Sequence, residues 1–237
     1  MKKCAVPDER LRSAADFVRQ GAVLADIGTD HAILPVFLCE CGKVERAYAT
    51  DVAKGPLEFA RRHVEEKGLA SQITLVRTDG LEGLEDKGIT DITVCGMGGE
   101  LIASILQRAQ FIKDKGVRLV LQPMTRHAAL RSFLAENGFA IQEERAIEAQ
   151  GKCYFCLCCH YTGEKKTLSR LEAELGEGLY QKEHTPAFLR YVEAKCASQQ
   201  KKIENMKQTP RLSDEVEAET AYAQGLFAFW QAIKKEQ

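Results

Sequence analysis

Up to Tyr161 the chain alternates short apolar or β-branched runs with stretches of helical spacing, and this alternation admits few folds. The runs cover residues 23–27, 47–51, 73–77, 92–95, 117–122, 139–147 and 153–161. Helical periodicity falls at 34–41, 56–67 and 101–110, with a weaker segment at 81–84. A further helix at 126–137 stops at Gly138, the usual left-handed terminator. Strands joined through helices must run parallel, which predicts a doubly wound α/β sheet. The last two strands are different. Only residues 148–151 separate them, too few for a parallel crossover, so they form an antiparallel hairpin.

Beyond Gly163 strand signals cease. Leu168, Leu171, Leu175 and Leu179 predict one helix stripe. Thr185-Pro186 opens a second helix bearing Phe188, Tyr191, Val192 and Cys196, continuing through Ile203 and Met206 to Pro210. Ser213 caps a third that ends with Phe227 and Trp230. The division expected is therefore an α/β domain at 1–163 and an all-helical, coiled-coil-like arm at 164–237.

Several function classes are disfavoured. No run of about 18 apolar residues exists, and the chain turns polar at Pro7 without a signal-peptide stretch, so a cytoplasmic location is expected. Nine cysteines in a chain able to build its own core read as reduced thiols. In a strand, Cys153 and Cys159 face one way and Cys156 and Cys158 the other, so the four do not converge on a metal. The formal charge of −1 does not advertise nucleic-acid binding. Between Lys182 and Arg211, however, seven basic residues (Lys182, Arg190, Lys195, Lys201, Lys202, Lys207, Arg211) meet three acidic ones (Glu183, Glu193, Glu204), and the stretch from Asp214 to Glu219 turns acidic. A solvated helix face and a phosphate-tracking surface both account for that pattern.

The chemistry gathers where strands end. In such a sheet the ligand lies outside the carboxyl ends, and the first turn needs glycine for close backbone approach. The run Asp26-Ile27-Gly28-Thr29 supplies one glycine and a carboxylate but lacks the repeated glycines of a pyrophosphate cradle. A phosphate-free, adenosine-bearing cofactor fits that lack. Asp51, followed by Val52 at the second strand's end, can accept from both ribose hydroxyls, and it can also cap a helix. Asp79-Gly80 reads equally as an acceptor for an adenine amine and as a plain turn. Gly96-Met97-Gly98-Gly99 brings backbone very near a ligand.

Taken together, Arg10-Leu11, Asp26 to Ala32 with Leu34-Pro35, Asp51-Val52 with Gly55-Pro56-Leu57, Asp79-Gly80-Leu81 and Gly96 to Gly99 resemble the bacterial tRNA (adenine-22-N1)-methyltransferase family. The terminal hairpin is also the arrangement associated with Rossmann-like methyltransferases. The resemblance implies S-adenosylmethionine as cofactor, held by Asp26, Ile27, Gly28, Thr29, Asp51, Val52, Asp79, Gly80, Gly96, Met97 and Gly98. It implies tRNA as partner, with N1 of an adenine as methyl acceptor, and no obligate protein partner. Asp30 would accept from the exocyclic amine, unless it only caps the next helix, and His31 would shape the pocket. Arg10 and Arg12, on an N-terminal helix, would meet phosphates or simply solvate the surface. Gln122 and Pro123 would face substrate. One departure stands out: Met124 occupies a position where the family leads one to expect asparagine. Competing readings are a methyltransferase of small molecules and a non-catalytic cofactor-binding module whose tail pairs with a protein.

Overall fold

The fold is given by a computed structural model that describes residues 8–113, 116–179, 184–207 and 213–235, with the side chains of residues 177, 179 and 213 outside that description. It opens with α1 (Glu9–Phe17), whose first turn is closed by Asp8 accepting from the Arg10 and Leu11 amides. There follow β1 (Ala22–Ile27), α2 (Ile33–Glu40), β2 (Val44–Asp51), α3 (Lys54–Glu66) and β3 (Ile73–Arg77). The chain then crosses to β4 (Asp91–Gly98), α4 (Gly99–Arg108), β5 (Arg118–Thr125), α5 (His127–Glu136), β6 (Phe139–Ala149) and β7 (Lys152–Tyr161).

The seven strands lie in the order β3-β2-β1-β4-β5-β7-β6. The first five pair in parallel and β7 runs antiparallel to both neighbours, as the short final connection requires. That connection is a two-residue turn. Gln150 (φ 50°) and Gly151 (φ 71°) are both left-handed, which matches the twist of a hairpin. Sequence order reverses between β1 and β4, so a crevice opens there at the strands' carboxyl ends.

Two apolar layers cover the sheet. One holds Leu24, Leu38, Ala49, Cys156 and Cys158. The other holds Ile92, Leu119, Phe155 and Cys159, with Cys153 packed against it. The cysteines therefore divide between faces as their spacing predicts, and burial raises the pKa of each thiol. Residues 81–84, expected as a weak helix, are instead a turn anchored by buried Leu81 and Leu84. Their apolar spacing reflects insertion into the core, not a helix face.

The tail consists of α6 (Arg170–Leu175), α7 (Pro186–Lys207) and α8 (Ser213–Lys235). The predicted stripe through Leu179 is cut short because the chain leaves the helix at Gly176 (φ 56°) and continues as a 3-10 turn. The reason is packing. A Cβ on Gly176 would lie 2.3 Å from Glu144 Oε2 and 2.5 Å from Arg131 Nε. Those two side chains form an ion pair at 2.6 Å, only 1% and 3% exposed. Arg131 also donates to the carbonyls of Ala173 (2.7 Å) and Glu174 (2.9 Å), closing the end of α6. Thr185 caps α7 by accepting from the Phe188 amide. α8 runs on to Lys235, past the predicted end at Trp230. The pairs Cys196–Leu226 and Gln199–Glu219 set α7 and α8 antiparallel. Leu175, Phe188, Val192 and Leu226 join the same apolar cluster as Phe139 and Phe155, so sheet and tail share one core.

The tail's charges are largely paired. Arg190 meets Glu148 at 2.5 Å, Lys195 meets Glu174 at 2.6 Å and Lys202 meets Glu219 at 2.8 Å. Lys182, Glu183, Pro210 and Arg211 lie outside the described residues. No helix among the described residues is long and apolar enough to cross a membrane.

Candidate active site at the ends of β1 and β4

The crevice between β1 and β4 holds a cleft of about 170 Å³ lined by Asp8, Arg10, Leu11, Asp26, Gly28, Asp30, Ile33, Leu34, Cys95, Gly96 and Gln122. A larger hollow of about 260 Å³ beside Arg131 and Lys165 lies away from the carboxyl ends of the parallel strands, so size alone does not mark the site.

Asp26 forms the deep wall. Thr93, its register partner on β4, donates to Oδ1 at 2.6 Å. Burial pushes the Asp26 carboxyl above its usual range, while Thr93 and Thr29 act in the opposite direction. A buried carboxylate with the Thr93 hydroxyl as donor and no cation partner among the described residues is suited to a cationic ligand group. At the mouth stands Asp30, whose side chain is 83% exposed, with His31 Nε2 at 3.3 Å.

Backbone geometry opens the space between them. Gly28 has φ 69°, and a Cβ there would fall 2.0 Å from Met97 Cε. Gly96 (φ 80°) is the bulged residue where β4 slips register against β5. A Cβ on Gly96 would meet no protein atom within 4 Å, so the room in front of it belongs to the cleft. Gly99, which begins α4, is packed against the Arg126 carbonyl, 2.4 Å from where its Cβ would be. The glycine-rich stretch is thus strand, bulge and helix start, not a loose loop.

The turn beyond Gly28 is strained. His31 (φ 56°) and Ala32 (φ 52°) are consecutive left-handed residues other than glycine. Asp30 is consequently not the cap of α2. That position falls to Ala32, which offers no side-chain acceptor. Two contacts hold the turn: His63 Nδ1 donates to the His31 carbonyl at 2.8 Å, and the His31 ring stacks on Phe59.

Other expected residues divide into three groups. Ile27 is buried in the core and brings only main chain to the strand end, while the Thr29 amide donates to the Thr50 carbonyl. Asp51 stands at the next strand's end, with Oδ1 accepting from the Ala53 amide, and Val52 beside it is exposed. Asp79 lies outside the cleft. Both its oxygens are taken by Arg108 of α4, at 2.7 and 3.0 Å, and this pairing lowers its pKa. Gly80 packs beneath Ile105 of the same helix. The expected convergence of Asp26, Asp51, Asp79 and Gly96 on one space therefore holds for Asp26 and Gly96, with Asp51 adjacent and Asp79 committed elsewhere.

Of the residues expected to face RNA, Arg10 and Gln122 line the cleft. Gln122 is 1% exposed, and its Oε1 accepts from the Gly96 amide at 3.2 Å, so it braces the bulge. Pro123 is buried in β5. Arg12 lines a separate hollow with Asp16 and Arg145. Arg10 does reach the cleft, where Nη2 pairs with Asp8 at 2.6 Å, Nη1 donates to Met124 Sδ at 3.0 Å, and the guanidinium lies 5.3 Å from the Tyr154 ring centre. Met124 is thus engaged by Arg10. At Asp8, burial opposes the charge, but hydrogen bonds from Arg10 and Leu11 outweigh it and keep the carboxyl below its usual range. Burial lifts the Cys95 thiol well above its ordinary range.

An adenosine-bearing cation fits these residues. The fit rests on a buried carboxylate with no counter-charge among the described residues, a bulge glycine that leaves its space open, and Asp51 on the neighbouring strand. Thr93, Phe59 and Arg108 escaped the sequence reading. Thr93 needs the β1–β4 register to be seen, and Phe59 sits at an exposed helix position with no apolar stripe to flag it.

Known proteins share this architecture. The Methyltransferase domain family matches residues 8–157. A tRNA (adenine(22)-N(1))-methyltransferase of Bacillus subtilis is 39% identical over 146 residues, 62% of this chain and 61% of that protein. The chain thus matches about three fifths of that curated relative's length. The solved structure of the B. subtilis M1A22 tRNA methyltransferase superposes with a TM-score of 0.82 at 29% identity, covering 98% of this chain and 99% of that one. A candidate tRNA (m1A22) methyltransferase of Streptococcus pneumoniae, solved in complex with S-adenosyl-L-methionine, gives 0.78 at 33% identity with the same coverage.

Proposed function

We propose a function from one premise: this chain belongs to the methyltransferase-domain family and, within it, to the bacterial tRNA (adenine-22-N1)-methyltransferases. It methylates N1 of an adenine, at position 22, in tRNA. The observation that carries this reading is a single cleft with a buried carboxylate, Asp26, at its floor and an exposed one, Asp30, at its mouth.

S-adenosylmethionine supplies the electrophilic methyl group when bound. Asp26 would hold the ligand's ammonium and Asp51 its ribose hydroxyls, with the Gly28 and Gly96 backbone leaving room for it. Adenine N1 carries an in-plane lone pair, so the protein need not remove a proton to make it nucleophilic. The chain's task is alignment, which by itself lowers barriers by roughly 7–11 kcal/mol. The base must first leave its stack, at a cost of a few kcal/mol. Asp30 accepts from the exocyclic amine and stabilises the positive charge that methylation leaves on the ring. His31, held by Phe59 and by its hydrogen bond from His63, keeps that turn in place.

The test is transfer of labelled methyl into unmodified tRNA, with 1-methyladenosine identified after digestion. Asp30→Ala is expected to abolish transfer while S-adenosylmethionine still binds. Label appearing only in small molecules or protein rejects the reading.

A further inference from the structure

The helix beside the cleft mouth carries a surface whose outer side the chemistry above leaves open. Phe59 of α3 is 52% exposed. Its ring lies on that of His31, with centroids 4.9 Å apart and planes 5° from parallel. The Arg62 guanidinium is 5.8 Å from the Phe59 centroid. Arg61 and Arg62 are both exposed and, unlike the paired cations of the tail, have no carboxylate partner among the described residues. Their neighbour Lys54 does have one, Glu58. Asp30 directly precedes His31, so this surface begins where the proposed acceptor site ends.

A half-wet aromatic ring, flat against an imidazole and beside the Arg62 guanidinium, with Arg61 exposed next to it along the helix, has the chemistry of a single-stranded RNA contact. Every base has a π-face that stacks on such a ring, and phosphates are drawn to unpaired arginines. We propose that Phe59, His31, Arg61 and Arg62 form the platform on which RNA next to the target nucleotide rests, a flanking base stacking on the aromatic pair and phosphates meeting the arginines. This rests on the reading of the chain as a tRNA methyltransferase and adds the surface that holds the strand once the target base has turned out.

The experiment uses the full chain and an unmodified tRNA transcript, with affinity measured across a salt series alongside methyl transfer. Phe59→Ala is expected to weaken tRNA binding about tenfold and Phe59→Tyr to preserve it, while Arg62→Gln leaves affinity for S-adenosylmethionine unchanged. The double variant Arg61→Gln, Arg62→Gln is expected to flatten the dependence of log affinity on log salt by about 0.7–0.9 per lost phosphate contact. Unchanged tRNA affinity and salt dependence in these variants, with a wild-type chain that methylates tRNA, would overturn the platform alone. A change in oligomeric state by light scattering, with tRNA affinity intact, would assign the surface to contact between copies and overturn it as well. A wild-type chain that neither binds nor methylates tRNA removes the substrate reading and the platform with it.

Discussion

The cleft at the end of β1 and the joint between sheet and tail both bury a carboxylate, and they treat it in opposite ways. Glu144 is enclosed with Arg131, which also closes the end of α6 and lies 4.6 Å from the Phe155 ring centre. Asp26 is enclosed, among the described residues, with threonine hydroxyls and no cation. A buried charge supplied with its counter-charge is architecture, whereas one left with only dipoles awaits something from outside. The same contrast holds at the surface, where Glu219 gathers Arg170 and Lys202 while Asp30 has a histidine at 3.3 Å and open solvent.

The strongest attempt to break this contrast is Arg131→Met. It strands Glu144 without a partner, and a loss of about 3–5 kcal/mol in urea unfolding is expected. Adding Glu144→Leu should recover most of that, because the pair's value lies in not leaving one member alone. No loss in the single variant would mean that the joint does not depend on the pair.

At the cleft the mirror experiment is Asp26→Asn. Losing a charge-assisted contact should weaken binding of S-adenosylmethionine by about 1.5–3 kcal/mol, read by calorimetry. Stability should move the other way. The folded pKa of Asp26 is raised, so its ionisation opposes folding: the stability it adds is present below pH 3.8 and is lost as pH rises through the folded value. The asparagine variant should therefore be more stable than wild type at neutral pH while binding less well. In the wild type, binding should weaken on acidification at a pH above the ordinary aspartate range. A variant that is both weaker in binding and less stable would refute the contrast.

Gly28→Ala is expected to cost a further step less, about 1–2 kcal/mol, for its left-handed backbone. The Met97 methyl is a flexible end that can move aside, so Met97→Ala should not restore the loss. Full restoration would show that the clash, not the backbone, sets the cost. The smallest effect belongs to Glu219→Gln. Hydrogen bonds from Arg170 lead in lowering its pKa to about 2, so its contribution is present above pH 4.5 and fades as pH falls toward that value. This site is solvated enough that less than about 1 kcal/mol is expected, seen as a shallower acid limb in thermal melts.

Most of the α/β framework was legible because it depends on local pattern. Residues 73–77 match β3 to the residue, Gly138 ends α5, and the four residues at 148–151 force the hairpin. The strand-end glycines and Asp26 were legible for the same reason, since a parallel sheet puts its ligand edge at known points along the chain. What escaped is what depends on pairing across the fold. The pairing of Asp79 with Arg108, and the contact of Gln122 with the Gly96 amide, are seen only once the elements are assembled. Leu179 continues a leucine stripe on paper, but the helix has to end at Gly176 to let two distant side chains meet. The left-handed His31 and Ala32 are invisible in the sequence because nothing in their residue types asks for that backbone.

That meeting at Gly176 sets how the arm behaves mechanically. Prying α6 away from α5 would leave a guanidinium and a carboxylate facing each other across a widening apolar gap, so the junction acts as a weld and not a hinge. The helix α7 that follows, about 33 Å long for its 22 residues, packs its Phe188 and Val192 into the same core as that weld.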